Sequence, residues 1–171
     1  MFVLSTPRLT LRRFVGSDAP ALAALLMDPV VMWDRKKGPF TEDEVLGFIG
    51  RMEVSYDTRG YGFFAVEHAE DHRFLGFTGI LDQHIDGRTE PEIGYRLLAR
   101  EWGSGFATEA AQASLRLGRE KFGLDRLISI IRPDNTRSQR VAQKNGFTRE
   151  KTVFWDRADM DVDVWVSPPR V

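Results

Sequence analysis

The sequence predicts an α/β domain with about seven strands and about four helices. Segments with apolar residues at every second position, or in short continuous runs, recur between segments with apolar residues at helical spacing. Together they give the order βααβββαβαββ. The chain of 171 residues is 42% hydrophobic, which is enough for one core, and it contains no internal repeat. We therefore expect a single domain over residues 1–171.

Composition and charge exclude several classes of protein. With 24 Lys and Arg against 25 Asp and Glu scattered along the chain, the sequence has no basic patch of the kind that binds nucleic acid. No apolar run approaches the roughly 18 residues that cross a membrane, and the N-terminus lacks a signal-peptide pattern, so a cytoplasmic location is expected. The absence of cysteine excludes disulfides, thiolate metal sites and a cysteine nucleophile.

The first third of the chain predicts a strand followed by two helices. Residues 9–14 alternate apolar and polar side chains, as in a half-buried strand. Ser17 or Asp18 is expected to cap the helix that follows. Thr41 and Glu44 have the spacing of a capping box, which indicates that a second helix begins there.

The remainder of the chain predicts six further strands and two further helices. The polar segment at 86–89 indicates a hairpin turn. The helices are expected after the glycine-rich turn at 103–105 and after the polar segment at 132–135. The predicted strands lie at 61–67, 73–82, 91–98, 127–132, 147–155 and 159–166.

The glycine-rich turn lies between a predicted strand and a predicted helix. Gly103 and Gly105 permit a tight turn and a close approach of the backbone to a ligand. The first amides of the following helix lack partners within it and carry partial positive charge, which favours an anion such as a phosphate. No Lys follows, as a P-loop requires, and Thr108 stands where a dinucleotide fingerprint needs its third glycine. A glycine-rich corner without a ligand is the alternative interpretation.

The residues around this turn resemble the pyrophosphate loop of the GNAT acyltransferases. That loop has the pattern Gln/Arg-x-x-Gly-x-Gly/Ala, which Gly105 and Ala107 match, with Trp102 in the place of Gln or Arg. The run from Trp102 to Ala111 is similar to the RimJ/RimL-like branch, whose members acetylate protein N-termini and other amines. The resemblance implies N-acetyltransferase activity with acetyl-CoA as the acetyl donor and no metal.

A second block resembles the same family. Asn135, Ser138 and Arg140, with the closing Lys144-x-Gly-Phe, are similar to a block in which the Asn side chain faces the pantetheine arm of the cofactor. In the simpler interpretation Asn135 is a helix cap and Ser138 a solvated helix residue. Arg137 and Arg140 either reach the phosphates of CoA or face solvent.

The resemblance covers nearly the whole chain and implies the GNAT fold. This fold has a mixed, mostly antiparallel central sheet that is splayed between strands 4 and 5, here at 91–98 and 127–132, and the pantetheine arm enters the gap. Gly94 is the expected position of a bulge, because glycine inside a strand often marks one. The implied cofactor-binding residues are Leu97, Leu98, Trp102, Gly103, Ser104, Gly105, Phe106, Ala107, Thr108, Asn135, Ser138 and Arg140.

Two catalytic roles are implied for the strand before the turn. The backbone N–H of Leu97 would stabilise negative charge on the thioester oxygen. Glu92 is the best-placed carboxylate to accept a proton from the amine, although a surface glutamate at a strand end is the alternative. The rival bases on neighbouring strands are Glu67, Glu90 and His84.

The group that protonates the leaving thiolate is less well defined. Many GNAT enzymes carry a Tyr four residues before the Gly of the closing block, and this chain has Ala142 there. Ser138 is the RimJ/RimL-like substitute, acting directly or through water.

The acceptor is expected between the first two helices and the last hairpin. Trp33 and Trp155 lie in these segments and, with Glu92, are the expected substrate-binding residues. Aromatic rings beside carboxylates suit a cationic amine, but both tryptophans fit a core equally well. We expect direct transfer of an acetyl group to a primary amine, in the first place a protein N-terminal α-amine, by a monomer or homodimer. The alternatives are a small-molecule amine acetyltransferase, acting on a drug or polyamine, and a non-catalytic acyl-CoA-binding module.

Overall fold

The computed structural model describes residues 2–170, which form eight strands and four α-helices. The strands are β1 (Phe2–Ser5), β2 (Leu9–Arg12), β3 (Phe63–His68), β4 (Phe74–Ile85), β5 (Arg88–Leu97), β6 (Ile128–Ile131), β7 (Thr148–Trp155) and β8 (Met160–Val166). The helices are α1 (Ala19–Leu26), α2 (Glu42–Arg59), α3 (Phe106–Glu120) and α4 (Thr136–Lys144). Among these described residues, no helix is both long and apolar enough to span a bilayer.

All eight strands belong to one sheet, in the order β1-β2-β3-β4-β5-β6-β8-β7. Neighbouring strands are antiparallel except β5 and β6, which are parallel. The mixed, mostly antiparallel sheet confirms the predicted fold class. All seven predicted strands are present, and β1 is additional. It pairs with β2 through Leu4 and Leu11, and its four residues are too few to show a period.

The helices cover both faces of the sheet. The ring of Phe77 in β4 lies 5.2 Å from that of Phe48 in α2, between centroids. The hydroxyl of the next residue, Thr78, lies 2.9 Å from the hydroxyl of Ser114 in α3. Because successive side chains of a strand point to opposite faces, α2 and α3 lie on opposite sides of the sheet. Helix α1 packs against α2, and α4 against α3.

The helix starts follow the sequence signals with one exception. Thr41 and Glu44 form the predicted capping box, with Thr41 N–H donating to Glu44 Oε2 at 2.9 Å and Glu44 N–H to Thr41 Oγ1 at 3.3 Å. Asp18 precedes α1, but its side chain does not cap that helix. Its carboxylate accepts instead from the Arg12 guanidinium at 2.6 and 2.7 Å and from Val15 N–H at 2.9 Å. A charge-assisted pair with Arg12 is stronger than a neutral cap.

Within residues 2–170, β5 and β6 are paired at a single position, where the middle of β5 meets the first residue of β6. The ladder joins Glu92 to Ile128, and Ser129 Oγ then donates to the Ile93 carbonyl at 3.0 Å. Beyond this point the strands separate, which is the predicted splay. The bulge predicted at Gly94 was wrong, because β5 stays in register with β4 through Gly94. A Cβ atom at this position would lie 2.8 Å from the ring of Phe63, so any other residue would force that ring to shift.

Candidate active site

The gap between β5 and β6 exposes backbone groups of β5. Leu98 N–H donates to the Leu75 carbonyl in β4 at 2.9 Å. Since the hydrogen-bonding groups of successive strand residues point to alternate sides, those of Leu97 and Tyr95 point away from β4 and toward the gap. The Leu97 carbonyl accepts from Trp102 Nε1 at 3.0 Å on this side. A strand-like ligand in the gap could pair with the N–H groups of Tyr95 and Leu97.

The glycine turn leads directly into α3. Gly103 and Gly105 have φ of +84° and +81°, a region in which most other residues are strained. A Cβ atom at Gly103 would meet nothing within 4 Å, so the turn is open to a ligand. Gly105 is the residue before α3, and no side chain caps the helix. The first N–H groups of α3 therefore stay available for an anion.

A long-range ion pair holds this turn in place. Arg8 Nη1 donates to the Ser104 carbonyl at 2.9 Å, and Arg8 Nε pairs with Glu109 Oε2 at 2.7 Å. Thr6 Oγ1 donates to the other Glu109 oxygen at 2.6 Å. These bonds connect the glycine turn and the first turn of α3 to the segment before β2. Sequence reasoning missed Arg8, because about a hundred residues separate it from its partners.

A cavity of about 570 Å³, the smaller cavity, lies between the glycine turn, β5 and α4. Leu98 and Ser104 do not line it. The N–H of Leu98 is bonded to β4, and Ser104 is exposed with its carbonyl bonded to Arg8. The predicted cofactor residues that line it are Leu97, Trp102, Gly103, Gly105, Phe106, Ala107, Thr108, Asn135, Ser138 and Arg140.

Cations surround the smaller cavity on its α4 side. Arg137, Arg140 and Lys144 line the wall, and the guanidinium of Arg137 lies 4.6 Å above the ring of Trp102. Asn135 Oδ1 accepts from Ser138 N–H at 3.1 Å, so Asn135 is the N-cap of α4 as well as a wall residue. The wall thus combines the free N–H groups of α3, an open glycine turn and three cationic side chains. This combination fits a ligand that contains a pyrophosphate.

A second cavity of about 800 Å³, the larger cavity, lies between the β5–β6 gap, the α1–α2 loop and the β7–β8 turn. Glu92 lies in its wall. The Glu92 carboxylate accepts from Gln83 Nε2 at 2.8 Å and from Ile130 N–H at 3.4 Å. Burial raises the pKa of Glu92 to about 7, against the smaller opposing effects of these donors and of Arg157 and Arg96. A carboxylate with this pKa suits general base catalysis near neutral pH.

The rival bases lie outside both cavities. Glu67 accepts from Arg12 Nε at 2.8 Å, and buried Glu90 pairs with Arg126 at 2.6 Å. His84 is exposed. Ion pairing and position therefore leave Glu92 as the carboxylate best placed for proton transfer.

Tyr95 is a site residue that sequence reasoning missed. Its side chain lines both cavities, as does that of Ser138. Its hydroxyl is buried without a hydrogen-bond partner among residues 2–170. Burial raises the pKa of Tyr95 to about 12, and the nearby Ser138 hydroxyl opposes this effect only in part. Ala142, which stands in the place of the usual tyrosine, also lines the larger cavity.

The two predicted substrate tryptophans are separated. Trp155 lines the larger cavity, and its Nε1 donates to the His84 carbonyl at 2.9 Å. Trp33 is 46% exposed and lines the smaller cavity, where the Arg132 guanidinium lies 4.8 Å above its ring. Trp155 and Glu92 thus line the same cavity, whereas Trp33 lies on the side of the glycine turn.

The chain is similar to known acetyltransferases over most of its length. Residues 8–148 match the model of the acetyltransferase (GNAT) domain. The uncharacterized protein YkkB of Bacillus subtilis is 35% identical over 153 residues, covering 88% of this chain and 87% of that protein. The uncharacterized N-acetyltransferase p20 of Bacillus licheniformis is 31% identical over 154 residues, covering 88% and 84%.

A solved structure shows the same fold. RimL, a ribosomal L7/L12 alpha-N-protein acetyltransferase in complex with coenzyme A, superposes with a TM-score of 0.79 over 97% of both chains at 20% identity. At this identity the likeness concerns the fold alone. Among the residues that the structure describes, no cluster of three metal-binding side chains occurs. The matched domain model and the related sequences show that this chain belongs to the GNAT family and is an N-acetyltransferase that uses acetyl-CoA as the acetyl donor.

Proposed function

We propose that this enzyme acetylates the α-amine at the N-terminus of a peptide or protein by direct transfer within a ternary complex. The observation that carries the proposal is Glu92, whose pKa is raised to about 7 in the wall of the larger cavity. An α-amine has a pKa of about 7.7–8.0, whereas a lysine side chain has about 10.4. A base with a pKa near 7 works at neutral pH, where a larger fraction of an α-amine than of a lysine amine is already deprotonated.

The residues of the smaller cavity fit coenzyme A. In this proposal the first amides of α3 and the backbone around Gly103 and Gly105 hold the pyrophosphate. Arg137 and Arg140 face the remaining phosphate charge. The N–H groups that Tyr95 and Leu97 direct into the β5–β6 gap bind the pantetheine arm as an added strand would.

One group from each cavity acts on the reacting carbonyl, Glu92 from the larger cavity and Leu97 from the smaller. Bound acetyl-CoA supplies a thioester whose carbonyl carbon is open to an amine. Glu92 accepts a proton from the amine nitrogen as the new C–N bond forms. The Leu97 N–H donates a hydrogen bond to the thioester oxygen, on which negative charge develops.

Departure of the thiolate needs a donor on the other side of the reacting carbon. The C–S bond breaks with its electron pair going to sulfur. The hydroxyls of Tyr95 and Ser138 donate hydrogen bonds to that sulfur. Ser138 passes it a proton from solvent, and Glu92 returns the proton of the amine to solvent, so no net proton is gained or lost. Both hydroxyls lie on the boundary of the two cavities, which supports this role.

RimL acts as an alpha-N-protein acetyltransferase by its description, and its shared fold is compatible with this acceptor. A polyamine is less well supported, because more cations than carboxylates line the larger cavity. The expectation that aromatic rings beside carboxylates bind a cationic amine is also weakened, because Asp34 and Asp159 in this wall are already paired with Arg96 and Lys36.

The test measures release of the CoA thiol with a panel of acceptors. The panel contains three acceptors. The first is a peptide with a free α-amine, and the second, its matched control, is the same peptide with a blocked N-terminus and an added lysine. The third is spermidine. We expect acceptor-dependent release with the free α-amine alone. Release with spermidine or lysine alone would overturn the proposed acceptor. Binding of acetyl-CoA without release on any amine would favour a non-catalytic module instead.

A further inference from the structure

The wall of the larger cavity carries an excess of positive charge. Its seven cationic side chains are Arg35, Lys36, Lys37, Arg51, Arg96, Arg132 and Arg157. Its four carboxylates are Asp34, Glu44, Glu92 and Asp159. A cavity lined mostly by one sign of charge focuses its potential on whatever enters, so this wall favours an anionic group and opposes a polycation.

Ion pairs account for part of this set. Arg96 pairs with Asp34 at 2.8 Å, and Arg35 pairs with Glu44 at 2.8 Å. Lys36 bonds to the Asp159 carboxylate and also donates to its carbonyl at 3.1 Å. The last of these pairs joins the α1–α2 loop to the β7–β8 turn across the cavity mouth.

One further cation has a partner outside the cavity wall. Arg132 pairs with Asp134 at 2.6 Å. Lys37, Arg51 and Arg157 remain, and none of the three forms an ion pair with a described carboxylate. These three side chains are the uncompensated cations of the larger cavity.

Arg157 is held next to the proposed base. Its Nη1 donates to Gln83 Oε1 at 2.8 Å, and Gln83 Nε2 donates to Glu92 Oε2 at 2.8 Å. A single side-chain amide therefore separates the guanidinium from the carboxylate. A guanidinium has five N–H donors, so Arg157 keeps donors free for a ligand while it is positioned by Gln83.

We propose that the acceptor carries a carboxylate close to its reactive amine, and that Arg157 is the residue that selects it. This inference rests on the proposed function, so the acceptor is an N-terminus with Asp or Glu in the next positions. With its amine at Glu92, such an acceptor places the acidic side chain toward Arg157, with Arg51 and Lys37 at the mouth. A hydrogen-bonded pair of guanidinium and carboxylate gives both binding and orientation.

The experiment compares kcat/KM for the tripeptide amides Ala-Asp-Ala, Ala-Asn-Ala and Ala-Lys-Ala. Asp and Asn are nearly isosteric, so their ratio isolates the charge. We expect the Asp peptide to be preferred over the Asn peptide by about tenfold, with the Lys peptide worst. Arg157→Gln is expected to bring the Asp/Asn ratio to about one. Arg170→Gln, which removes an exposed arginine paired with Asp125 away from both cavities, should leave the ratio unchanged.

The ratio is the decisive readout because any effect of Arg157→Gln on the basicity of Glu92 acts on both peptides alike. An Asp/Asn ratio of one in the unaltered enzyme, or a high ratio that survives Arg157→Gln, overturns the inference. If no peptide is acetylated at all, the proposed function fails and not merely this refinement of it. Free aspartate as a fourth acceptor separates the sources of the carboxylate, since turnover on it alone supports the charge selection but overturns the peptide acceptor.

Discussion

Glu92 Oε2 lies 2.8 Å from the side-chain amide of Gln83, across the β4–β5 ladder. The donors that touch this carboxylate are therefore neutral: Gln83 and, at 3.4 Å, the Ile130 N–H. Neutral donors compensate burial less than a direct cation does. At Glu92 burial outweighs these donors and raises the pKa to about 7, whereas at Glu109 the hydrogen bonds from Thr6 and Arg8 outweigh burial and hold the pKa below its usual range.

The first prediction concerns the pH dependence of activity. If Glu92 is the base, kcat/KM rises about tenfold per pH unit below about pH 7 and then levels off. Glu92→Gln should lower kcat/KM by about 10²–10⁴ and remove this limb, while Glu53→Gln on the exposed face of α2 serves as control. Measuring the pH profile with two acceptors whose amines differ in pKa distinguishes the titration of the enzyme from the titration of the amine. If kcat/KM of Glu92→Gln still rises with pH up to about pH 7, this pH dependence belongs to another group.

The same pKa predicts a pH-dependent stability. The pKa of Glu92 is raised on folding from 4.5 to about 7, so the folded state binds the proton more tightly in this range. Stability contributed by this group is present at low pH and is lost as the pH rises from about 4.5 to about 7. We expect the free energy of unfolding of the unaltered protein, relative to Glu92→Gln, to fall by about 2 kcal/mol between about pH 5 and pH 8. Urea titrations at the two pH values measure this difference, and a constant difference would contradict it.

The glycine turn offers a matched pair of variants. Gly105 has φ +81°, which Asn and Asp tolerate better than other side chains. Gly105→Asn tests the added side chain alone, and Gly105→Asp adds a negative charge where the pyrophosphate is proposed to bind. Because Arg8 is already engaged by Glu109, it does not fully neutralise that charge. We expect acetyl-CoA to bind Gly105→Asp at least about tenfold more weakly than Gly105→Asn in calorimetric titrations. Equal affinities would mean that the phosphates lie elsewhere.

Tyr95 and Ser138 can be distinguished by combining kinetics with stability. The buried Tyr95 hydroxyl lacks a partner among the described residues, so Tyr95→Phe should not lower the free energy of unfolding. If the hydroxyl stabilises the leaving sulfur, kcat should nevertheless fall by about tenfold or more while KM for acetyl-CoA changes little. Ser138→Ala is expected to lower kcat in the same way. A normal kcat in Tyr95→Phe would leave Ser138 as the only proposed donor.

Apolar periodicity, helix caps and turn residues predicted the strands and helices, because these signals depend on residues close in sequence. The capping box of Thr41 and Glu44 and the glycine turn before α3 are of this kind. The cofactor residues around Gly105 follow from the same turn, so most of them line one cavity. Local pattern was thus sufficient for the strand–turn–helix unit.

The errors concern side-chain contacts that exist only in the folded chain, whether their partners are a few residues away or in another element. Asp18 satisfies the rule for a helix cap, but Arg12 competes for its carboxylate in the folded chain. Gly94 suggested a bulge, whereas the reason for the glycine is the ring of Phe63 in β3. The place of Tyr95 between both cavities likewise depends on where α4 lies, and α4 is held by contacts with α3 and β6. None of these relationships has a period or a spacing that a single sequence displays.

Two glycines inside helices give a final prediction about stability. A Cβ atom at Gly118 in α3 would lie 2.9 Å from Ile80 Cδ1 and 3.0 Å from Leu127 Cδ1, and both side chains are fully buried. At Gly50 in α2 a Cβ atom would meet nothing within 4 Å. We expect Gly50→Ala to raise the free energy of unfolding by about 0.5–1 kcal/mol through helix propensity. Gly118→Ala gains the same propensity but must displace packed methyl groups, so we expect a net loss of about 1–3 kcal/mol. Urea denaturation of both variants compares them directly. If Gly118→Ala were more stable than the unaltered protein, the side chains of Ile80 and Leu127 would be able to move aside without strain. Close packing would then not be the reason for glycine at this position.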